Sequence, residues 1–328
     1  MPLLLIVIIA LALAFDFLNG FHDSSNIVAT MISSRAMPPR MALAMTAVAE
    51  FCGPFLFGVA VATTIGSEVV DPAAISSAVI IAALGSAILW NLFTWYFGFP
   101  SSTSHALIGG MLGAVGVAEG LSTIRLAGLE KVLIALFVSP ILGLVVGYVM
   151  LKLIYFLARG AGPSVNTFFK RGQLVTALAL ALSHGTNDAQ KTMGIIAMAR
   201  VTTGFTTSFR VPWWVIAMSA GAIALGTGLG GWRLIKTLGA KFYKIRPVHA
   251  FGSQLTSAGI ILGAALLGGP VSTTQVVSSS IMGAGAADRV SKVRWTVARD
   301  MAVAWLLTIP ISALVAAGLY LIVNRFLR

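Results

Sequence analysis

The chain has 328 residues, 58% of them hydrophobic and 10% charged, with a formal net charge of +12. A soluble domain carries about a quarter charged residues, so a water-exposed globular fold is excluded. The basic residues fall in short stretches between apolar runs and form no stripe interleaved with aromatics, which sets nucleic acid aside and points to membrane orientation.

Apolar runs of about 20 residues, enough to cross a hydrocarbon core of about 30 Å, recur from end to end. They predict spans at 3–34, 41–64, 74–97, 102–118, 132–157, 173–199, 213–231, 248–268, 271–287 and 300–323. Lipid offers the backbone no partners, so helices are the spanning element. The expected fold class is an all-α integral membrane protein of about ten spans. The opening Met1-Pro2-Leu3 lacks a charged region and a cleavage site, and reads as a retained first span rather than a signal peptide. Asn19-Gly20-Phe21-His22-Asp23 is expected to interrupt the first span near 19–25, and His184-Gly185-Thr186-Asn187-Asp188 the sixth near 184–189. The lone Cys52 reads as a small buried apolar side chain, and excludes both a disulfide framework and a cysteine metal site. Trp90, Trp95, Trp213, Trp214 and Trp305, at or near span ends, read as interfacial anchors.

With the 35–40 loop in the cytoplasm, fifteen basic residues fall inside: Arg35, Arg40, Lys152, Arg159, Lys170, Arg171, Arg233, Lys236, Lys241, Lys244, Arg246, Arg289, Lys292, Arg294 and Arg299. Arg125, Lys131, Arg200, Arg210, Arg325 and Arg328 fall outside. That bias predicts a multi-pass plasma-membrane protein with both termini external. Residues 159–172 form the one convincing linker, between a first repeat at 1–158 and a second at 173–328. Five spans in each predict an inverted repeat with broken or re-entrant helices. The sequence supports this twice. Asn19–Asp23 resembles His184–Asp188 at an offset of 165, and Phe99-Pro-Ser-Ser-Thr-Ser-His105 resembles Gly269-Pro-Val-Ser-Thr-Thr-Gln275 at an offset of 170.

Pro100-Ser-Ser-Thr-Ser and Pro270-Val-Ser-Thr-Thr read as N-termini of helices inside the membrane, since proline and hydroxyl caps favour that position. Free amides, hydroxyls and about half a positive charge at each end suit an oxyanion. Ser and Thr back-bonding within a kinked helix is the plainer alternative. Asp16, Asp23, Glu50 and Asp188 are the acids within spans, where ionised groups usually carry function. Asp23 and Asp188 hold equivalent places, followed three residues later by Asn26 and Lys191. Carboxylate with amide oxygen is hard-cation or proton chemistry; a structural Asp188–Lys191 bridge is the alternative. An oxyanion brings −1 to −2, the two carboxylates −2, Lys191 +1 and two helix ends roughly +1, leaving a deficit that one or two cations or protons must fill.

These motifs carry a family resemblance. Phe17-Leu-Asn-Gly-Phe-His-Asp-Ser-Ser-Asn26, Pro100–His105, Ser183-His-Gly-Thr-Asn-Asp-Ala-Gln-Lys-Thr-Met-Gly194 and Pro270–Thr274 with Ser278-Ser-Ser-Ile-Met-Gly283 together resemble the inorganic phosphate transporter (PiT) family. The resemblance implies an inverted-repeat symporter, not an enzyme, that moves inorganic phosphate, bare or as metal phosphate, with co-transported H+ or Na+ and no cofactor. It implies phosphate ligands at Ser101, Ser102, Thr103, Ser272, Thr273 and Thr274, and a coupling-ion and anion site at Asp23, Asn26, Asn187 and Asp188. From the residues themselves, Lys191 joins the phosphate ligands as counter-charge, and Glu50, in an apolar span, reads as a cation ligand at the coupling-ion site or as a protonated group hydrogen-bonded across helices. The chain departs from the family pattern at Gln275 and at Lys191, where sodium-coupled members carry asparagine. An ammonium there removes the need for one Na+, which favours protons.

His22 reads as a proton relay or as a hydrogen-bonding group, His105 as packing, Asp16 as a polar helix–helix contact, and His249 as needing no special role. His184 and Asp188 sit at metal-ligand spacing but lack a supporting His or Cys cluster in the sequence. The partners expected are phosphate and lipid, and a homo-oligomer is compatible. The competing readings are a sulfate permease on the same scaffold, a metal-dependent intramembrane hydrolase using His184 and Asp188, and a channel.

Overall fold

The computed structural model describes residues 2–71, 75–232, 235 and 243–327. Arg233, Lys236, Lys241 and Arg328 of the orientation argument, and the first residue of the 74–97 span, lie outside the described residues. Among the described residues there are eleven α-helices and one isolated extended bridge, Val70 to Ile124.

The helices are α1 (Leu3–Ser33), α2 (Pro39–Phe57), α3 (Ala60–Thr63), α4 (Ser77–Phe97), α5 (Thr103–Ala118), α6 (Leu126–Leu157), α7 (Val165–Thr202), α8 (Trp213–Leu229), α9 (Pro247–Leu266), α10 (Thr273–Asp288) and α11 (Trp295–Leu327). A single π-helical turn, Thr64–Glu68, continues α3. Five of them, α1, α2, α4, α6 and α11, are long and apolar enough to cross a membrane. Large apolar side chains such as Leu89, Ile141, Val145, Leu225 and Leu314 point outward, as expected where the solvent is lipid. The polar α7 is sheathed by protein instead: from Ser183 to Ala199 every residue is buried. Irregular or polar stretches at membrane depth survive only in that setting.

Two expectations are corrected here. α1 and α7 run without a break through Asn19–Asp23 and His184–Asp188. The glycines serve close packing rather than unwinding. A Cβ on Gly20 would lie 2.1 Å from the carbonyl oxygen of Ile223 in α8, and one on Gly185 would lie 2.2 Å from that of Glu50 in α2. Small residues allow such approach where lipid provides no hydrophobic push. The linker is also shorter than expected, because α7 begins at Val165, inside the 159–172 stretch.

The true breaks lie between α4 and α5 and between α9 and α10, at the two Pro-Ser/Thr motifs. Each adjacent pair packs as a hairpin. At the tips, Gly98 and Gly268 adopt φ of 69° and 72°, a region open to glycine at little cost. Ser102 caps α5 by accepting from His105 N at 3.1 Å, and Ser272 caps α10 by accepting from Gln275 N at 3.4 Å. Across the molecule α1 packs on α8 and α7 on α2, while α6 packs on α10 and α11 on α5. Helices early in the chain therefore find partners late in it. The first amides of α3 are satisfied from α7, where Gln190 Oε1 accepts from Val61 N at 2.8 Å and Ala62 N at 3.2 Å.

Candidate functional site

α1, α7 and the start of α10 converge on one buried cluster. Asp23 and Asp188 are 1% and 0% exposed. Thr273, first residue of α10, places its hydroxyl 3.1 Å from Asp23 Oδ2 and 3.0 Å from Asp188 Oδ2. One hydroxyl proton thus faces two carboxylates. Thr274 donates to Asp23 Oδ1 at 2.8 Å and receives the Asn26 amide at 3.1 Å. Asn26 Oδ1 is left without a partner among the described residues.

Lys191 is 1% exposed. Its Nζ lies 2.5 Å from Asp188 Oδ1, 2.5 Å from Ser104 Oγ and 3.1 Å from the carbonyl oxygen of Val271. Burying an ammonium is costly unless it is paired and hydrogen-bonded, and here three oxygens meet it. From the first hairpin it is Ser104, a residue not singled out from the sequence, that reaches Lys191. Ser101 donates to Thr94 Oγ1 at 2.9 Å. Asn187 donates to Gly269 O at 3.1 Å, tying α7 to the second hairpin tip. Thr103 and Ser272 are buried beside these groups.

His184 is a member that sequence reasoning undervalued. Its Nε2 lies 3.3 Å from Asp188 Oδ2 and 3.7 Å from Asp23 Oδ2, and its Nδ1 lies 2.7 Å from Glu50 Oε1. Asp23, His184 and Asp188 each offer a ligand atom within 4.8 Å of the others. The supporting third ligand missing from the local sequence thus arrives from α1. Glu50, fully buried, joins the cluster through His184. His22 Nδ1 is 3.0 Å from Asp23 Oδ1 and its Nε2 3.5 Å from Thr94 Oγ1, the hydrogen-bonding arrangement. His105 is more than packing: its Nδ1 lies 2.6 Å from Ser102 Oγ and its Nε2 3.5 Å from Gln275 Nε2, so the matched positions of the two motifs touch.

Asp16 of α1 faces Thr192 of α7, a polar helix–helix contact of the expected kind, though neither carboxyl oxygen makes a hydrogen bond of full geometry among the described residues. Two further readings change. Cys52 is exposed on the outer face of α2 rather than buried. Trp305 donates from Nε1 to Pro100 O at 3.2 Å, so it holds the first hairpin tip and does not simply anchor a span end. An apolar groove between α4 and α11 encloses about 750 Å³ and is lined by Leu89, Phe93, Val303 and Leu307, with Thr94 at its wall.

The comparisons with known proteins agree with one another. The phosphate transporter family profile matches residues 19–162 and 158–316. A probable low-affinity inorganic phosphate transporter of Bacillus subtilis is 46% identical over 326 residues, covering 98% of each chain. One from Rhizobium meliloti is 44% identical, covering 97% of this chain and 96% of its own. A solved structure described as the sodium-dependent phosphate transporter shares the fold, with a TM-score of 0.90, 24% identity, and 98% and 99% of the two chains covered. The chain belongs to the phosphate transporter family, a family of membrane transporters rather than enzymes.

Proposed function

We propose that this protein is a secondary active transporter that carries inorganic phosphate across the plasma membrane by symport with a cation, the proton favoured over sodium. The observation that carries this reading is the single hydroxyl of Thr273 shared by Asp23 and Asp188 at the N-terminus of α10, beside the Lys191 ammonium. The helix N-termini of α5 and α10 offer Ser101, Ser102, Thr103, Ser272, Thr273 and Thr274 to phosphate, with Lys191 as counter-charge. Asp23, Asn26, Asn187, Asp188 and Glu50 supply the seat of the coupling charge. Among the described residues four buried carboxyls, Asp16, Asp23, Glu50 and Asp188, stand against one buried lysine. Phosphate adds further negative charge, so it enters only with a positive companion.

The proton is favoured because Lys191 already fills one cation position. Its Nζ takes hydroxyl, carboxylate and carbonyl oxygens, the ligand set of a hard cation. The two helix series α1–α6 and α7–α11, with their exchanged partners, fit an inverted repeat of about ten spans with both termini outside. Metal phosphate is a second form of the cargo, favoured by the ligand atoms of Asp23, His184 and Asp188. The sulfate reading gains nothing from the relatives named for phosphate.

Uptake into proteoliposomes under separately imposed pH and Na+ gradients tests this. The expected result is phosphate accumulation driven by an inward proton gradient, uninhibited by sulfate. Failure to accumulate under either gradient would refute symport, and sodium-only accumulation would refute the proton preference. Acceleration by added Mg²⁺ at fixed phosphate supports the metal-phosphate cargo, and its absence excludes it.

A further inference from the structure

Asp16 lies on α1 seven residues before Asp23, about 10 Å along the helix axis, with Asn19 between them on the same face. It is 0% exposed, and neither of its oxygens has a hydrogen-bond partner among the described residues. Thr192 of α7, next to Lys191, is the hydroxyl that faces it, although no hydrogen bond of full geometry joins the two. Asn19 donates its amide to Asp188 Oδ2 at 3.4 Å, and its own Oδ1 is likewise unpaired. Two carboxyl oxygens, an amide oxygen and a hydroxyl therefore lie buried without a hydrogen bond of full geometry among the described residues.

A bare carboxylate in this position has no cation at bonding distance among the described residues, a state that burial makes costly. A hard metal ion gathers six or more oxygens, and these three side chains do not provide them. A proton needs only one. A protonated Asp16 donates its O–H to Asn19 Oδ1 or Thr192 Oγ1 and accepts the Thr192 hydroxyl proton, so the open valences close on one another.

We propose that Asp16 is a further seat for the coupling proton, outside the phosphate pocket, with Asn19 and Thr192 as partners of its protonated form. The proposal rests on the symport reading above and names one place where its coupling charge sits. Proton uptake converts one carboxylate to carboxylic acid and consumes nothing else. Asn19 relays the event. With its Oδ1 held by the Asp16 proton, its amide stays aimed at Asp188 Oδ2; with Asp16 ionised, that amide oxygen faces a negative charge and the contact weakens. The other charged groups facing Asp16 are Asp188 and Lys191 from α7 and Glu50 from α2. Two of these three are acids, so removal of one negative charge at Asp16 favours entry of an anion nearby.

The test uses the full chain in proteoliposomes, with wild type beside Asp16→Asn. For wild type, a pH gradient drives phosphate accumulation, and phosphate exchange at equal pH on both sides rises as pH falls. In Asp16→Asn, whose amide imitates the protonated acid, exchange should lose its pH dependence and gradient-driven accumulation should fall at least tenfold. The infrared band of a buried carboxylic acid should disappear with the substitution. Wild-type-like accumulation in Asp16→Asn overturns the proposal and leaves the symport reading standing. A wild type that ignores the pH gradient defeats the proton reading itself. Loss of exchange as well as accumulation in a monodisperse Asp16→Asn protein would also overturn it, because the seat would then belong to the phosphate pocket. Should Asp16→Asn not purify in monodisperse form, Asp16→Glu serves. Retained accumulation with a shifted pH midpoint supports the proposal, and an unshifted midpoint overturns it.

Discussion

Lys191 holds in α7 the place that Asn26 holds in α1, 165 residues earlier. The Asn26 amide donates to Thr274 Oγ1 at 3.1 Å, and the Lys191 ammonium donates to Ser104 Oγ at 2.5 Å. Those hydroxyls belong to the opposite hairpin tips, so each motif, acid with amide or acid with ammonium, is completed by a residue from the other part of the chain. Lys191→Asn should restore the matching amide and open a vacancy beside Asp188. The expected outcome is phosphate uptake that depends on Na+, read from initial rates in a sodium titration; an active variant with unaltered ion preference would remove the reason for favouring protons. Lys191→Met should instead leave Asp188 buried without its partner and lower stability by about 3–5 kcal/mol, measured by thermal unfolding in detergent.

Asp23→Asn and Asp188→Asn should each abolish accumulation while the protein still elutes as a monodisperse species. Each substitution keeps the side-chain volume and removes one of the two charges that share Thr273. A single variant with full activity would remove that residue from the coupling site.

Thr273→Val should weaken phosphate uptake because one hydroxyl serves both acids. Hydrogen bonds to charged groups contribute about 1.5–3 kcal/mol, so the half-saturating phosphate concentration should rise roughly 10- to 100-fold. Thr273→Ser, which keeps the hydroxyl, should stay within a few-fold of wild type. Equal behaviour of the two variants would show that the hydroxyl does not matter.

Gly185→Ala should destabilise the protein by about 1–3 kcal/mol, since the new methyl meets the Glu50 carbonyl and α2 must move away from α7. Gly221→Ala in α8 is the control, because nothing lies within 4 Å of a Cβ there. Its melting temperature should match or slightly exceed that of wild type. A comparable loss at both positions would mean that helix propensity, not close approach, governs the effect.

Much of the fold and the site is legible in the sequence. The Pro-Ser/Thr motifs fall at helix starts as expected, because proline and a hydroxyl cap act within a few residues of one another. Asp23, Asp188 and Lys191 stand out in the sequence because a charge inside an apolar run is costly to keep unless it faces a cavity or a partner. The breaks expected in α1 and α7 do not form. Gly20 and Gly185 weaken a helix locally, yet what fixes them is a neighbouring backbone more than 130 residues away in sequence, which local pattern does not register. Ser104 does not stand out among the hydroxyls of its motif because a one-residue step around a helix start decides which of them faces Lys191. His184 lacks its third companion until α1 is laid beside α7.

The continuity of α1 and α7 limits how this protein can move. At about 1.5 Å per residue, α1 with 31 residues and α7 with 38 are rods of roughly 45 and 55 Å that carry the two acids with no joint beside either one. Bending at Asp23 or Asp188 would break intact helical turns, whereas the glycine-hinged tips at Gly98 and Gly268 already depart from helical geometry. Any hinge in this part of the fold therefore has its place at the two hairpin tips rather than within α1 or α7.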